Sequence, residues 1–223
     1  VANYTTGVVA HVERQEQIEM LRERIYPDLI EVDDGTYGCM GNHCLTLEQL
    51  YQNGRRSGRE WMVVLEDDAQ PPETGFHQQV SAALDVAPSP IVSFYNGSGH
   101  PPQRQRAFGD AASRQDVHWI LHPYLRHAVA YAVHMEVIEL GLVDYMLKMQ
   151  RERWAPDNAI SRFARRWNKP IAYSNPSLVE HEDGPTVIQV RSTMGIPTIG
   201  MRRPRKAHWV GTRIKWNDRS MRI

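Results

Sequence analysis

Trp61-Met62-Val63-Val64-Leu65 runs without a break into Glu66-Asp67-Asp68, and Pro71-Pro72 follows closely. No other stretch constrains the fold as strongly. The apolar run reads as a strand covered on both faces, because β-branched and aromatic side chains suit a buried sheet. Its acids then stand at the strand's C-terminal end, where open α/β sheets collect their ligands. Three adjacent carboxylates repel one another, and a divalent cation with a phosphate-bearing ligand would relieve that repulsion. The competing reading is a solvated acidic turn.

The flanking pattern predicts an α/β chain. Strands are expected near 6–10, 29–32, 61–65, 90–95, 117–121, 128–133 and 171–173. Helices are expected near 13–25, 42–53, 74–87, 135–149 and from Pro156 onward. Asn42 and Thr74 read as N-caps and Gly54 as a stop. Segment 96–113, rich in Gly, Pro, Gln and Arg, reads as a long mobile loop of the kind that forms lids. Early strand–helix alternation implies a largely parallel sheet.

At 223 residues and zero formal net charge, one domain with a sizeable core is expected and no global field selects a partner. The charge is uneven: Met201–Ile223 holds eight Lys or Arg residues against one acid, Asp218. The expected division is a single domain over 1–200 with two functional halves (1–95 and 96–200), then a basic arm over 201–223. No apolar run is long enough to span a bilayer. The start, Val1-Ala2-Asn3-Tyr4, lacks a signal-peptide pattern, so a cytoplasmic protein is expected. Cys39 and Cys44 match no standard zinc spacing and read as buried, reduced thiols.

Three segments carry a family resemblance. Leu65-Glu66-Asp67-Asp68-Ala69 is similar to a Glu-Asp-Asp form of the DxD motif. Gly38-Cys39-Met40-Gly41-Asn42-His43-Cys44-Leu45 resembles a Gly-Cys-Ala-x-Ser-His stretch, with Asn42 in place of the serine. Pro176-Ser177-Leu178-Val179-Glu180-His181 resembles a late Pro-x-Leu-Val-x-His segment. Together, in order across roughly 5–185, they resemble GT-A fold glycosyltransferases of the lipopolysaccharide-biosynthesis and procollagen galactosyltransferase family. The resemblance implies a Rossmann-type nucleotide-binding half with a mixed, mostly parallel sheet flanked by helices. It also implies a hexosyl- or pentosyltransferase, bacterial or from a phage-infected cell, that uses a nucleotide sugar (a UDP-sugar favoured) with Mn²⁺ or Mg²⁺.

Under that resemblance Asp68 is the direct metal ligand and His181 the second, with a surface His–acid pair as the other reading of His181. Glu66 and Asp67 serve the donor ribose, the sugar or metal-bound water. His11 and Arg14, at the end of the first strand, face the nucleobase or a phosphate; Arg14 also reads as a solvated first-turn residue. His43 holds the donor or closes the helix start. Asp157 is the catalytic base of an inverting reaction, or an acid placed by the helix dipole. His118, His122, His127 and His134 need not converge. Arg202, Arg203, Arg205, Lys206 and Trp209 combine cations with an aromatic ring, which suits an acceptor such as a hydroxymethylated base in DNA. A saccharide or protein acceptor, or a tail packed over the domain, remains open. A nucleic-acid-binding module and a nucleotidyltransferase are the alternatives from other classes.

Overall fold

The computed structural model describes residues 2–97, 102–182 and 206–223. Its first half alternates as the pattern requires: β1 (Tyr4–His11), α1 (Gln15–Ile25), β2 (Leu29–Asp33), α2 (Gly38–Ser57) and β3 (Trp61–Glu66). β2, β1 and β3 lie side by side and parallel. Then follow β4 (Ala69–Gln70), α3 (Phe76–Leu84), β5 (Ile91–Ser93), α4 (Pro102–Arg114), β6 (Trp119–His122) and β7 (Ala130–His134). The chain continues with α5 (Met135–Glu139), α6 (Leu142–Arg151), α7 (Pro156–Arg166), β8 (Ile171–Ser174), β9 (Glu180–His181) and β10 (Ser220–Arg222).

Eight strands form one mixed sheet in the order β10-β6-β8-β5-β7-β3-β1-β2. β7 runs antiparallel to both β3 and β5, and β6 antiparallel to β8. The other neighbours are parallel. The architecture is therefore α/β, with helices on both faces.

Period-two alternation explains the two cores. Met62 and Val64 of β3 face the core that includes Leu47 and Leu50 of α2 and Met146 of α6. Trp61, Val63 and Leu65 face the opposite core, with Leu21 and Ile25 of α1 and Val80 of α3. Gly7 marks a close crossing, since a Cβ there would meet Leu50 Cδ1 at 2.8 Å and Thr46 Cγ2 at 2.9 Å. The missing side chain lets α2 lie directly on β1.

Several expected boundaries shift for physical reasons. α2 begins at Gly38, not Asn42, because the Asp33 carboxylate at the end of β2 accepts from Tyr37 N (3.0 Å) and Gly38 N (2.9 Å). Those amides are orphan donors of a helix start, and a carboxylate satisfies them and complements the helix dipole. Asn42 lies inside the helix, where Nδ2 donates to Ala10 O (3.0 Å) and Glu31 O (3.3 Å) and joins β1 to β2. α2 also passes Gly54 and ends at Gly58, whose φ of 67° suits a left-handed cap. Gly75, not Thr74, occupies the N-cap of α3.

The expected helix over 135–149 is split at Gly141, where φ is 93°. The expected loop over 96–113 contains α4 instead. Arg and Gln are good helix formers, Pro102 takes the first helical turn, and Ala112 is buried in the core. No helix among the described residues is long and apolar enough to cross a membrane.

Of the segment expected as a basic arm, residues 206–223 run along the domain and add β10 to the sheet edge beside β6. Trp216 is buried against Trp119, with ring centroids 5.4 Å apart, and its Nε1 donates to Gln79 Oε1 at 3.1 Å. Arg213 donates from Nε to Asn175 O at 2.6 Å and from Nη2 to Val117 O at 3.1 Å. His208 lies over Gly109 of α4, where any Cβ would collide with its ring.

Candidate functional site

The acids of 66–68 sit at the C-terminal end of β3, beside the ends of β1 and β2, as the sheet's parallel half dictates. They do not share one task. Alternation sends Glu66 and Asp67 to opposite faces, and the turn after β3 turns Asp68 toward a third partner.

Glu66 points toward α2, where Oε1 stands 3.2 Å from His43 Nε2. His43 is fully buried, and its Nδ1 stands 2.9 Å from the Tyr131 hydroxyl of β7. The imidazole is therefore held at both nitrogens, and its position one turn into α2 places it behind Glu66. Cys39 precedes His43 by one helical turn on the same face. Ligand atoms of Cys39, His43 and Glu66 lie within 4.8 Å of one another, a grouping able to hold a metal ion. Burial, followed by the negative charges of Glu66, Asp157, Asp68 and Asp67, raises the Cys39 thiol well above its usual range.

Asp67 points the other way and is buried, with Oδ2 accepting from His11 N at 2.8 Å. Burial is the main reason its carboxyl is pushed up to about 6. The His11 amide and the Arg14 guanidinium oppose that rise, while Asp68 and Glu66 add to it. Arg14 is itself buried at the start of α1, so it is not a solvated first-turn residue. His11 is half-buried at the end of β1.

Asp68 meets His181. Oδ2 lies 3.2 Å from His181 Nε2, and His181 is almost fully buried. The contact is made by a two-residue antiparallel ladder that pairs Ala69 with His181 and Gln70 with Glu180. Glu182 N also donates to Asp68 O at 2.8 Å. The remaining oxygen, Asp68 Oδ1, is buried and accepts no hydrogen bond among the described residues. A buried carboxylate oxygen without a partner is costly, so such an atom marks a place for a cation or water. Carboxylate plus imidazole is a donor set that Mn²⁺ accepts. Asp68 and His181 would supply two ligands to a divalent ion here, whereas the one grouping of three ligand types among the described residues is Cys39, His43 and Glu66.

Asp157 is half-buried in the first turn of α7, and its charge reaches the Cys39 thiol and the Tyr173 phenol. The wall holding Cys39 thus lies near both Asp157 and the acids. Lys206 donates to His181 O at 3.1 Å, while Trp209 is exposed and its carbonyl accepts from Ser177 N at 2.9 Å. Arg202, Arg203 and Arg205 lie outside the described residues.

The other histidines disperse into structural duties. His118 Nδ1 accepts from Asn217 N at 2.9 Å, and His134 caps α5. His122 joins the Tyr124 backbone, and His127 packs edge-on to Tyr95. Trp119 and Tyr131 are core residues with no exposed face. Cys39, expected as a buried thiol, is only half-buried, and it joins the site together with Tyr131, neither having been assigned a site role from the sequence. The i,i+4 spacing of Cys39 and His43 was the available signal for the first; nothing local signals the second.

No model of a known protein family matches this chain, and no curated protein matches it. Among solved structures the chain is similar to A197 from STIV, at 11% identity and a TM-score of 0.47, over 81% of this chain and 86% of that one.

Proposed function

We propose that this protein is a metal-dependent glycosyltransferase that moves a sugar from a nucleotide-sugar donor, a UDP-sugar favoured, to a hydroxyl acceptor. The observation that supports the reading best is the pairing of Asp68 with His181 at 3.2 Å, with Asp68 Oδ1 left open beside it. Asp68 and His181 would hold Mn²⁺ or Mg²⁺. A divalent cation there supplies charge stabilisation for the departing nucleoside diphosphate.

The chain's own residues would do the rest. Arg14 and His11, at the end of β1, would receive the nucleotide, and Asp67 fixes the backbone of that loop through His11 N. Glu66, steadied by His43, offers a carboxylate oxygen to donor hydroxyls. Asp157 would take the proton from the acceptor hydroxyl if the reaction inverts the anomeric centre. Lys206 and Trp209 are the described members of the set proposed to meet the acceptor, a modified DNA base or a saccharide.

The test is product analysis. Incubation with UDP-sugars and Mn²⁺ should release free UDP, and chelation of the metal should stop it. Release of sugar 1-phosphate instead, with the uridylyl group passing to the acceptor, would assign nucleotidyl transfer and sink the proposal.

A further inference from the structure

Cys39, His43 and Glu66 form a second group, which the proposed sugar transfer uses only through Glu66 and the His43 behind it. Cys39 Sγ, an imidazole nitrogen of His43 and a Glu66 oxygen converge within 4.8 Å, and none of them belongs to Asp68 or His181. The chemistry differs as well. Asp68 with His181 offers hard oxygen and imidazole, whereas this group offers a thiol. Thiolate sulfur selects softer divalent ions, Zn²⁺ above all, over Mg²⁺ and Mn²⁺.

The spacing of two of the three ligands suits a tetrahedral site. Nitrogen and oxygen ligands at about 2.0–2.2 Å from zinc stand about 3.3 Å apart around a tetrahedron. His43 Nε2 and Glu66 Oε1 stand 3.2 Å apart. Cys39 and His43 project from consecutive turns of α2, so one ion can reach both without moving the helix. The orientation of His43 follows the pattern of metal-bound histidines, whose second nitrogen is held by a polar partner. Here the partner is the Tyr131 hydroxyl, at 2.9 Å from Nδ1. His43 has no exposed surface, Glu66 is about three-quarters covered and Cys39 is half-buried, so the group is largely shielded from solvent. Three protein ligands would leave a fourth position for water or another ligand.

We propose that Cys39, His43 and Glu66 constitute a zinc site, separate from the Asp68–His181 pair. Binding exchanges the Cys39 S–H proton, released to solvent, for a sulfur–metal bond, and it fastens the start of α2 to the end of β3. The inference does not depend on glycosyl transfer.

Cobalt(II) is the probe, because a thiolate bound to it gives a near-ultraviolet charge-transfer band that oxygen and nitrogen ligands do not. The metal-free protein should develop this band and saturate at one equivalent, and Zn²⁺ should displace it. Cys39→Ala should abolish the band, while Cys44→Ala and Asp68→Asn should keep it. Glu66→Gln preserves the shape of the side chain and should keep the band while weakening cobalt binding by about tenfold or more. The proposal is overturned by a missing band in the unaltered protein, or by a band that survives Cys39→Ala in a folded protein. Loss of the band with Cys44→Ala or Asp68→Asn, or unchanged affinity in Glu66→Gln, also overturns it.

Discussion

Asp68→Asn should weaken Mn²⁺-supported nucleotide binding on the order of 100-fold and lower turnover on the order of 1,000-fold or more. It should leave the fold intact. Asp68 sits beside two other acids and carries a buried oxygen with no hydrogen bond among the described residues. Neutralising it removes repulsion from Glu66 and Asp67 and retains an oxygen for His181. Melting temperature should therefore stay level or rise in the metal-free variant. A gain or neutrality in stability joined to a collapse in binding is the signature of a residue kept for its ligand. Isothermal titration of Mn²⁺ and UDP, alongside a thermal melt, reads both halves. A variant that melts early and binds normally would make Asp68 a structural residue.

Trp216→Ala should be the most destabilising single change in the C-terminal segment. The indole is buried, stacks at a tilt on Trp119, meets the His118 ring edge-on at 5.8 Å and donates to Gln79 of α3. Removing a buried Trp costs about 3–5 kcal/mol, a melting shift on the order of 10 °C for a domain of this size. The change also exposes the seat of Arg213, whose backbone exchanges hydrogen bonds with Gln79 at 2.9 and 3.0 Å. Thermal denaturation checks it. A shift under about 2 °C would mean that the segment contributes little to the sheet.

What the sequence conveyed was local. The parallel β2-β1-β3 unit, the acids at its open end and the helices between carry strong periodic signals, and each stands within a few residues of where the pattern puts it. The misread elements depend on partners far along the chain. Asp33 caps α2 from the preceding strand, so the helix starts before Asn42. The segment 96–113 looked like a loop because of its Gly, Pro, Gln and Arg content, yet the one glycine within α4, Gly109, is where the ring of His208 lies against the helix. The Asp68–His181 contact rests on strands of two residues each, too short to carry any period. Family resemblance named that pair; no property of either segment alone would have joined them. The charges after Met201 were legible, but Arg213 and Trp216 find their hydrogen-bond partners in Val117, Asn175 and Gln79.

The central proposal is that Asp68 and His181 would hold a divalent ion that a nucleotide needs in order to bind. The most direct test is the melting temperature with UDP, GDP, CDP and dTDP, each with and without Mn²⁺. A ligand that binds only the folded state raises the melting temperature by mass action. The account predicts a rise with one nucleotide, UDP favoured, that requires Mn²⁺ and disappears in Asp68→Asn. No rise with any nucleotide, or a rise indifferent to Mn²⁺, would contradict it.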